Sequence, residues 1–299
     1  MTNEFSSTQT HEAVESDLKR LREELPAMAN LVDAFGEIMV ETARLKAELP
    51  HKNDFTVTDI NPDKFRQGKP LAGKESFLVT GDEIRQAARR LIPAMEKGFP
   101  KIKDELAGVG DALESGKFDP DAGAESLLKS QEAVLEKIAA DLRVTPQVFS
   151  FVMRQLVKPF VEKRAESIGP LPAELFWVKG YCPICGSWPS MAFLTGEGGQ
   201  RWLRCSFCSY EWRFMKTQCP FCDNEDFETM EYFYSEDRKS ERVDVCHNCG
   251  KYLVTVDLRE SPGDLVLNVA ALGMVYLDIL AQEKGFSPGA VTEWNVLDG

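Results

Sequence analysis

Apolar residues recur at three- and four-residue spacing between Glu12 and Leu49: Leu18, Leu21, Leu25, Met28, Leu31, Val32, Phe35, Ile38 and Met39. This is the period of one helix face. Pro26 is expected to split or kink the stretch and Pro50 to close it. Residues 51–75 carry Asn61-Pro62, Gly68, Pro70 and Gly73 and read as a loop with a short extended piece, long enough to suggest a role of its own. Further helices are expected from Asp82 to Lys97 with a bend at Pro93, over 101–115, from Pro120 through Ile138, and from Pro146 up to Gly169-Pro170 with a bend at Pro159. Asp119-Pro120 and Thr145-Pro146 are helix-start pairs, a capping side chain followed by a proline that suits the first turn. Residues 12–174 are thus read as an all-helical domain behind a disordered tail, 1–11.

The pattern then changes to short strand-like runs. Met191–Leu194 and Arg201–Arg204 flank Gly196, Gly198 and Gly199, while Glu228–Tyr234 and Arg242–Val245 flank a charged turn. Each pair of runs lies between two Cys-x-x-Cys segments, so the region is an internal repeat, with copies at about 180–212 and 217–255. Residues 175–216 and 217–260 are read as two modules. Ser261-Pro262 opens a C-terminal segment, 261–299, whose helix from Asp264 to Glu283 has almost no polar face. Such a helix is buried on several sides. Packing between the metal region and the helical bundle is the simpler reading, ahead of a groove for a partner. The fold class is therefore α+β: an N-terminal helical bundle, two tandem rubredoxin-like or zinc-ribbon modules, and a C-terminal helix.

All eight cysteines fall in four pairs, Cys182/Cys185, Cys205/Cys208, Cys219/Cys222 and Cys246/Cys249. Two residues between thiols let one turn grip one ion, and a tetrahedral four-thiolate site needs two such turns. Four turns supply two complete sites. Sequential assignment (first pair with second, third with fourth) is preferred over the interleaved one, because each hairpin then closes its own site. Pro183, Gly186 and Pro220 suit turns that aim backbone N–H groups at sulfur. The spacing does not distinguish zinc from iron. His247, inside the last pair, is read as an exposed turn residue rather than a ligand, and His11 and His51 have no partner in view. Trp188, Trp202, Trp212, Tyr232, Phe233 and Tyr234 are read as core around the metal sites before binding face. Arg238-Lys239, bracketed by Glu236, Asp237 and Glu241, reads as a solvated turn.

The formal net charge is −13. Residues 176–260 hold 10 Lys and Arg against 13 Asp and Glu, which opposes a nucleic-acid-binding zinc ribbon. Asn268 and Asp278 interrupt the longest apolar run, so no membrane insertion is expected. Met1–Thr10 has no apolar stretch, so no signal peptide is expected. The cytoplasm is the expected compartment, where paired cysteines more often hold metal than form disulfides. No glycine-rich phosphate loop or credible nucleophile–base pairing is present. Arg85, Arg89 and Arg90 and the 51–75 loop are candidates for a partner surface by exposure alone.

Gly180–Ser187, Arg204–Cys208 with Glu211-Trp212, Lys216–Cys222, Cys246–Leu253 and Tyr276–Phe286 together resemble the formate dehydrogenase accessory protein family, FdhE. The resemblance covers about residues 176–287. It implies a cytoplasmic maturation factor, not an enzyme, that binds the catalytic subunit of an exported formate dehydrogenase, the twin-arginine precursor, before export. It also implies that all eight cysteines ligate two metal ions, iron or zinc. A rubredoxin-like electron carrier acting by itself is the alternative.

Overall fold

The computed structural model describes residues 10–50, 61–168, 175–260 and 265–295. They form two compact units, one of residues 10–50 and 73–167, the other of 61–72 and 168–295. Of the expected tail, residues 1–9 lie outside the described residues, but Thr10 and His11 are ordered into a helix start. The Thr10 hydroxyl accepts from the Ala13 N–H and caps α1 (His11–Glu24).

The first unit is helical. Pro26 does split the first apolar stretch: α1 is followed by a single 3-10 turn (Pro26–Met28) and then α2 (Ala29–Glu48). A capping box of Thr80 and Glu83 opens α4 (Gly81–Gly98), which carries Pro93 internally. Next come α5 (Lys103–Glu114), α6 (Pro120–Leu128), α7 (Glu132–Leu142) and α8 (Pro146–Ile168). The single helix expected from Pro120 through Ile138 is two helices, α6 and α7. The chain breaks at Lys129–Gln131, where Ser130 takes φ 54°. The apolar period survives that break, which is why periodicity alone joined the two. Phe35, Phe99 and Phe151 pack edge to face in the core of this unit.

The second unit is built on one seven-stranded sheet, in the order β3-β2-β1-β6-β5-β4 with β7 beside β6. The strands are β1 (Pro189–Thr195), β2 (Gln200–Cys205), β3 (Glu211–Arg213), β4 (Met230–Ser235), β5 (Arg238–Cys246), β6 (Lys251–Asp257) and β7 (Ser287–Pro288). Each repeat copy contributes three antiparallel strands. The copies join where β1 of the first runs parallel to β6 of the second, Met191 opposite Val254 and Leu194 opposite Asp257. The repeat is therefore a translation along the sheet, and the two modules share one continuous sheet.

The apolar C-terminal run packs on one face of that sheet. It is two helices rather than one, α9 (Leu267–Gly273) and α10 (Val275–Glu283), meeting at Met274. Leu267, Met274, Leu277 and Ala281 fill a core with Met191, Phe193, Val243, Val245, Val254 and Val256. Residues 261–264 and 296–299 lie outside the described residues. No helix among the described residues is long and apolar enough to cross a membrane.

One polar group sits inside this core. Asp278 is buried and accepts from the Tyr252 hydroxyl at 2.8 Å, and Gln282 donates to the same hydroxyl at 3.1 Å. Burial pushes the Asp278 carboxyl up to about 7, against the lowering effect of Tyr252. A carboxyl whose folded pKa exceeds its unfolded value binds the proton more tightly when folded. Its cost is absent below about pH 4 and grows as pH rises through about 7. Asp278→Asn keeps an oxygen for Tyr252 and removes the charge. The variant should gain stability relative to wild type between pH 5.5 and 8.5, with an upper bound of roughly 4 kcal/mol. Parallel thermal melts at several pH values check this, and equal melting temperatures across the range would refute it.

Candidate metal centres

The sequence folds each Cys-x-x-Cys into the same turn. The residue after the second cysteine is left-handed in all four: Gly186 (φ 75°), Ser209 (φ 56°), Asp223 (φ 57°) and Gly250 (φ 68°). Two are glycines, for which this conformation costs nothing. The others are small or acidic residues that tolerate it. The left-handed residue reverses the chain and leaves N–H groups facing sulfur. Ile184 N–H donates to Cys182 Sγ at 3.4 Å, and Phe207 and Cys208 N–H donate to Cys205 Sγ at 3.4 and 3.5 Å.

The hairpins then bring the turns together in sequential pairs. Cys182, Cys185, Cys205 and Cys208 form one group, and Cys219, Cys222, Cys246 and Cys249 the other. Within each group the Sγ atoms lie within 4.8 Å of one another. Individual separations are 3.7 Å (Cys182–Cys208), 3.4 Å (Cys185–Cys205) and 3.8 Å (Cys219–Cys249 and Cys222–Cys246). Four thiolates about 2.3 Å from a tetrahedral ion stand about 3.8 Å apart. The donor set and its spacing thus fit one ion per group, and two groups could hold two metal ions.

Electrostatics point the same way. Burial pushes the Cys182, Cys208 and Cys219 thiols well above their ordinary range. Four converging thiols cannot all ionise without a cation among them, and a bound divalent cation reverses that preference. The groups differ in exposure: all four cysteines are buried in the first, while Cys222 and Cys249 are half-buried in the second. Burial raises the Cys222 thiol, but hydrogen bonds from the Asn248 amide and the Asn224 backbone outweigh this and bring it to about 7. Asn224 also donates to Cys246 Sγ at 3.7 Å. Sequence reasoning missed these amide donors. Their signal was position, one immediately before the last cysteine and one two residues after Cys222.

His247 stands outside the thiol group, with Nε2 3.1 Å from Glu231 Oε2. His11 pairs with Glu12, and His51 lies outside the described residues. The aromatic set divides. Trp212 is buried, and Trp202 and Phe233 pack against the sheet core, but Trp188, Tyr232 and Tyr234 are exposed. Arg238 pairs with Glu241 and Lys239 with Glu236 across the charged turn. Arg85, Arg89 and Arg90 are held by Asp82, Glu114 and Glu48.

Residues 61–72 belong to this unit. Residues 51–60 lie outside the described residues, but Asn61 caps a short helix, α3 (Pro62–Arg66), in place of the loop read from the sequence. The segment then clasps the first knuckle. Leu71 and Ala72 N–H donate to the Pro183 and Ile184 carbonyls at 2.8 Å, the Tyr181 hydroxyl donates to the Gly68 carbonyl at 2.6 Å, and Phe65 packs on Trp177. The neighbouring Gly180 joins the two centres. A Cβ there would stand 1.8 Å from the Pro220 carbonyl oxygen of the third knuckle. Gly180→Ala should therefore displace that knuckle, lowering metal retention in the second group while the first is kept. Titration with a chelator, read by metal analysis, checks this, and an unchanged second ion would refute it.

The folded architecture defines the chain as a tandem cysteine-knuckle protein: two four-thiol centres on one sheet, with a helical unit in the same chain. Residues 181–216 match the family model described as FdhE, central domain. An FdhE homolog of Aquifex aeolicus is 37% identical over 37% of this chain and 40% of its own length, and FdhE of Salmonella choleraesuis is 28% identical over 64% and 60%. The chain thus spans less than two thirds of the length of these relatives. The crystal structure of FdhE from Pseudomonas aeruginosa shares the fold over 94% of both chains, with a TM-score of 0.61 at 17% identity. The family model and the curated relatives thus make this chain similar to FdhE proteins, most specifically across the first four-cysteine group.

Proposed function

We propose that the chain is a cytoplasmic assembly factor for an exported formate dehydrogenase, one that binds the catalytic subunit before export and does not itself catalyse a reaction. The eight cysteines Cys182, Cys185, Cys205, Cys208, Cys219, Cys222, Cys246 and Cys249 are its metal ligands, and the ions hold the knuckles of the sheet unit in place. The observation that carries this reading is the pair of four-thiol groups in a chain similar to FdhE proteins. Four protein donors complete a tetrahedral shell, leaving no position for a substrate, which is the pattern of a structural site. Co-purification of the catalytic subunit precursor with the metal-loaded chain tests the proposal. A stable complex is expected, and no binding by protein with both ions in place would sink it.

A rubredoxin-like electron carrier is the second reading. It draws on the half-buried Cys222 and Cys249, which bring the second group near solvent. It expects iron, a colour that bleaches reversibly on reduction, and activity without a stable partner. Zinc in both groups overturns it.

A further inference from the structure

The translational repeat provides its own template for a vacant position. In the first copy, the outer edge of the leading strand β1 is taken by β6, which pairs with it in parallel. The Leu258 N–H donates to the Leu194 carbonyl, so the backbone groups of Leu194, and of Ala192 two residues before it, face that neighbour. In the second copy the leading strand is β4, and it ends the sheet. Among the described residues nothing pairs with its outer edge.

The register shows which groups are free there. The His247 N–H donates to the Thr229 carbonyl, which makes 229 and 247 a hydrogen-bonded pair in the register that sets Met230 opposite Cys246. Alternation then gives Glu231–Val245 and Phe233–Val243 the remaining ladder bonds. Tyr232 and Tyr234 send their N–H and C=O groups outward, while at Met230 only the C=O is open, its N–H donating to the Phe227 carbonyl. Their side chains occupy the sheet face opposite the α9–α10 core, as Ala192 and Leu194 do in the first copy. Ala192 and Leu194 are buried, while Tyr232 and Tyr234 are 55% and 43% exposed. The two tyrosine rings stack 6.3 Å apart, and the Arg242 guanidinium lies over Tyr232. Natural edge strands are usually blunted by proline, lysine or shortness. Residues 230–235 contain no proline or lysine and form a six-residue strand, twice the length of β3 at the other end.

We infer that the outer edge of β4 is a strand-addition site for an extended segment of the client polypeptide, lying parallel to β4 as β6 lies on β1. The inference rests on the reading of the chain as a client-binding factor and gives that reading a location. The segment it fits carries β-branched or aromatic residues at alternate positions. On one face these lie beside Phe233, as Val254 and Val256 of β6 lie beside Met191 and Phe193. On the other they lie against the Tyr232–Tyr234 pair. Main-chain hydrogen bonds to Tyr232, Tyr234 and the Met230 carbonyl supply the attachment, and the tyrosine face supplies selection.

The test uses the full metal-loaded chain and the purified catalytic subunit of its own organism's formate dehydrogenase. Amide exchange is measured with and without the subunit, alongside binding by wild type, Tyr232→Pro and Tyr234→Lys. Tyr232→Pro deletes an outward N–H and spares the ladder to β5, since its lost donor is not one that β5 uses. Tyr234→Lys leaves the backbone intact and places a charge on the edge. In the complex, exchange of the Tyr232 and Tyr234 amides should slow by about tenfold or more, while Glu231 and Phe233 stay slow in both states. Tyr232→Pro should weaken binding by about tenfold or more, and Tyr234→Lys by a smaller factor. A complex that leaves the outward amides unprotected and binds both variants like wild type overturns strand addition but keeps the client reading. No complex with wild type overturns both. Protection that appears in the chain alone and grows with concentration assigns the edge to a second copy and overturns the client as its occupant.

Discussion

Cys205→Ser will leave the chain with one metal ion in place of two, and the loss will reach well beyond the knuckle. Cys205 is the last residue of β2 and accepts two backbone N–H groups at Sγ, and that Sγ lies 3.4 Å from Cys185. Its centre is fully buried and continues into β1 and β2. Structural four-thiolate sites contribute apparent binding free energies of about 10 kcal/mol or more to the folding of small domains. Removing one thiolate therefore costs several kcal/mol and exposes the sheet core. Expected readouts are one ion per chain by metal analysis, loss of near-ultraviolet tryptophan dichroism, and aggregation of the sheet unit. Cys249→Ser acts at the half-buried centre and should also cost one ion while leaving more of the sheet signal intact. Two ions retained in Cys205→Ser would refute the assignment of that residue.

The second large effect lies in the helical unit and concerns charge. Lys46 on α2 places Nζ 3.2 Å from Glu162 and 2.8 Å from Glu166, both on α8. Glu162 is only 1% exposed. Lys46→Met fills the same space without the ammonium and takes that cation away from the buried Glu162 carboxylate. Breaking one side of a buried pair typically costs about 3–5 kcal/mol. For a unit of this size that lowers the melting temperature on the order of 10 °C. Adding Glu162→Gln to Lys46→Met should recover much of the loss, because the buried charge goes with it. Metal content should stay at two ions. An unchanged melting temperature in the single variant would show that the pair carries no such weight.

What could be read from the sequence, and what could not, follows from the range of the interactions. The four knuckles were legible because a Cys-x-x-Cys turn is local, and the hairpin between successive turns favoured sequential pairing. The helices were legible wherever a single apolar face persisted. They were misjoined at Ser130 and at Met274, where the chain turns without interrupting the apolar period. The contacts of residues 61–72 were not legible. Their attachment to the first knuckle runs through backbone groups of Pro183, Ile184 and Gly68, which leave no mark in side-chain type. The joining of the two modules was hidden for the same reason: the β1–β6 pairing is long-range and parallel. Aromatic residues near metal sites were read as one class, yet the sheet divides them, burying Trp212 and leaving Tyr232 and Tyr234 on an open edge.

The central claim is that eight cysteines in two sequential groups each hold an ion. Metal analysis and the visible spectrum of protein purified without oxygen test it most directly. The expected result is two ions per chain, both lost only on denaturation or strong chelation, with eight thiols unreactive until then. Zinc would give a colourless protein and a purely structural platform, while iron would give thiolate-to-metal absorption and bring electron transfer into the proposed assembly role. Folded, metal-free protein with eight freely reactive thiols would contradict the account.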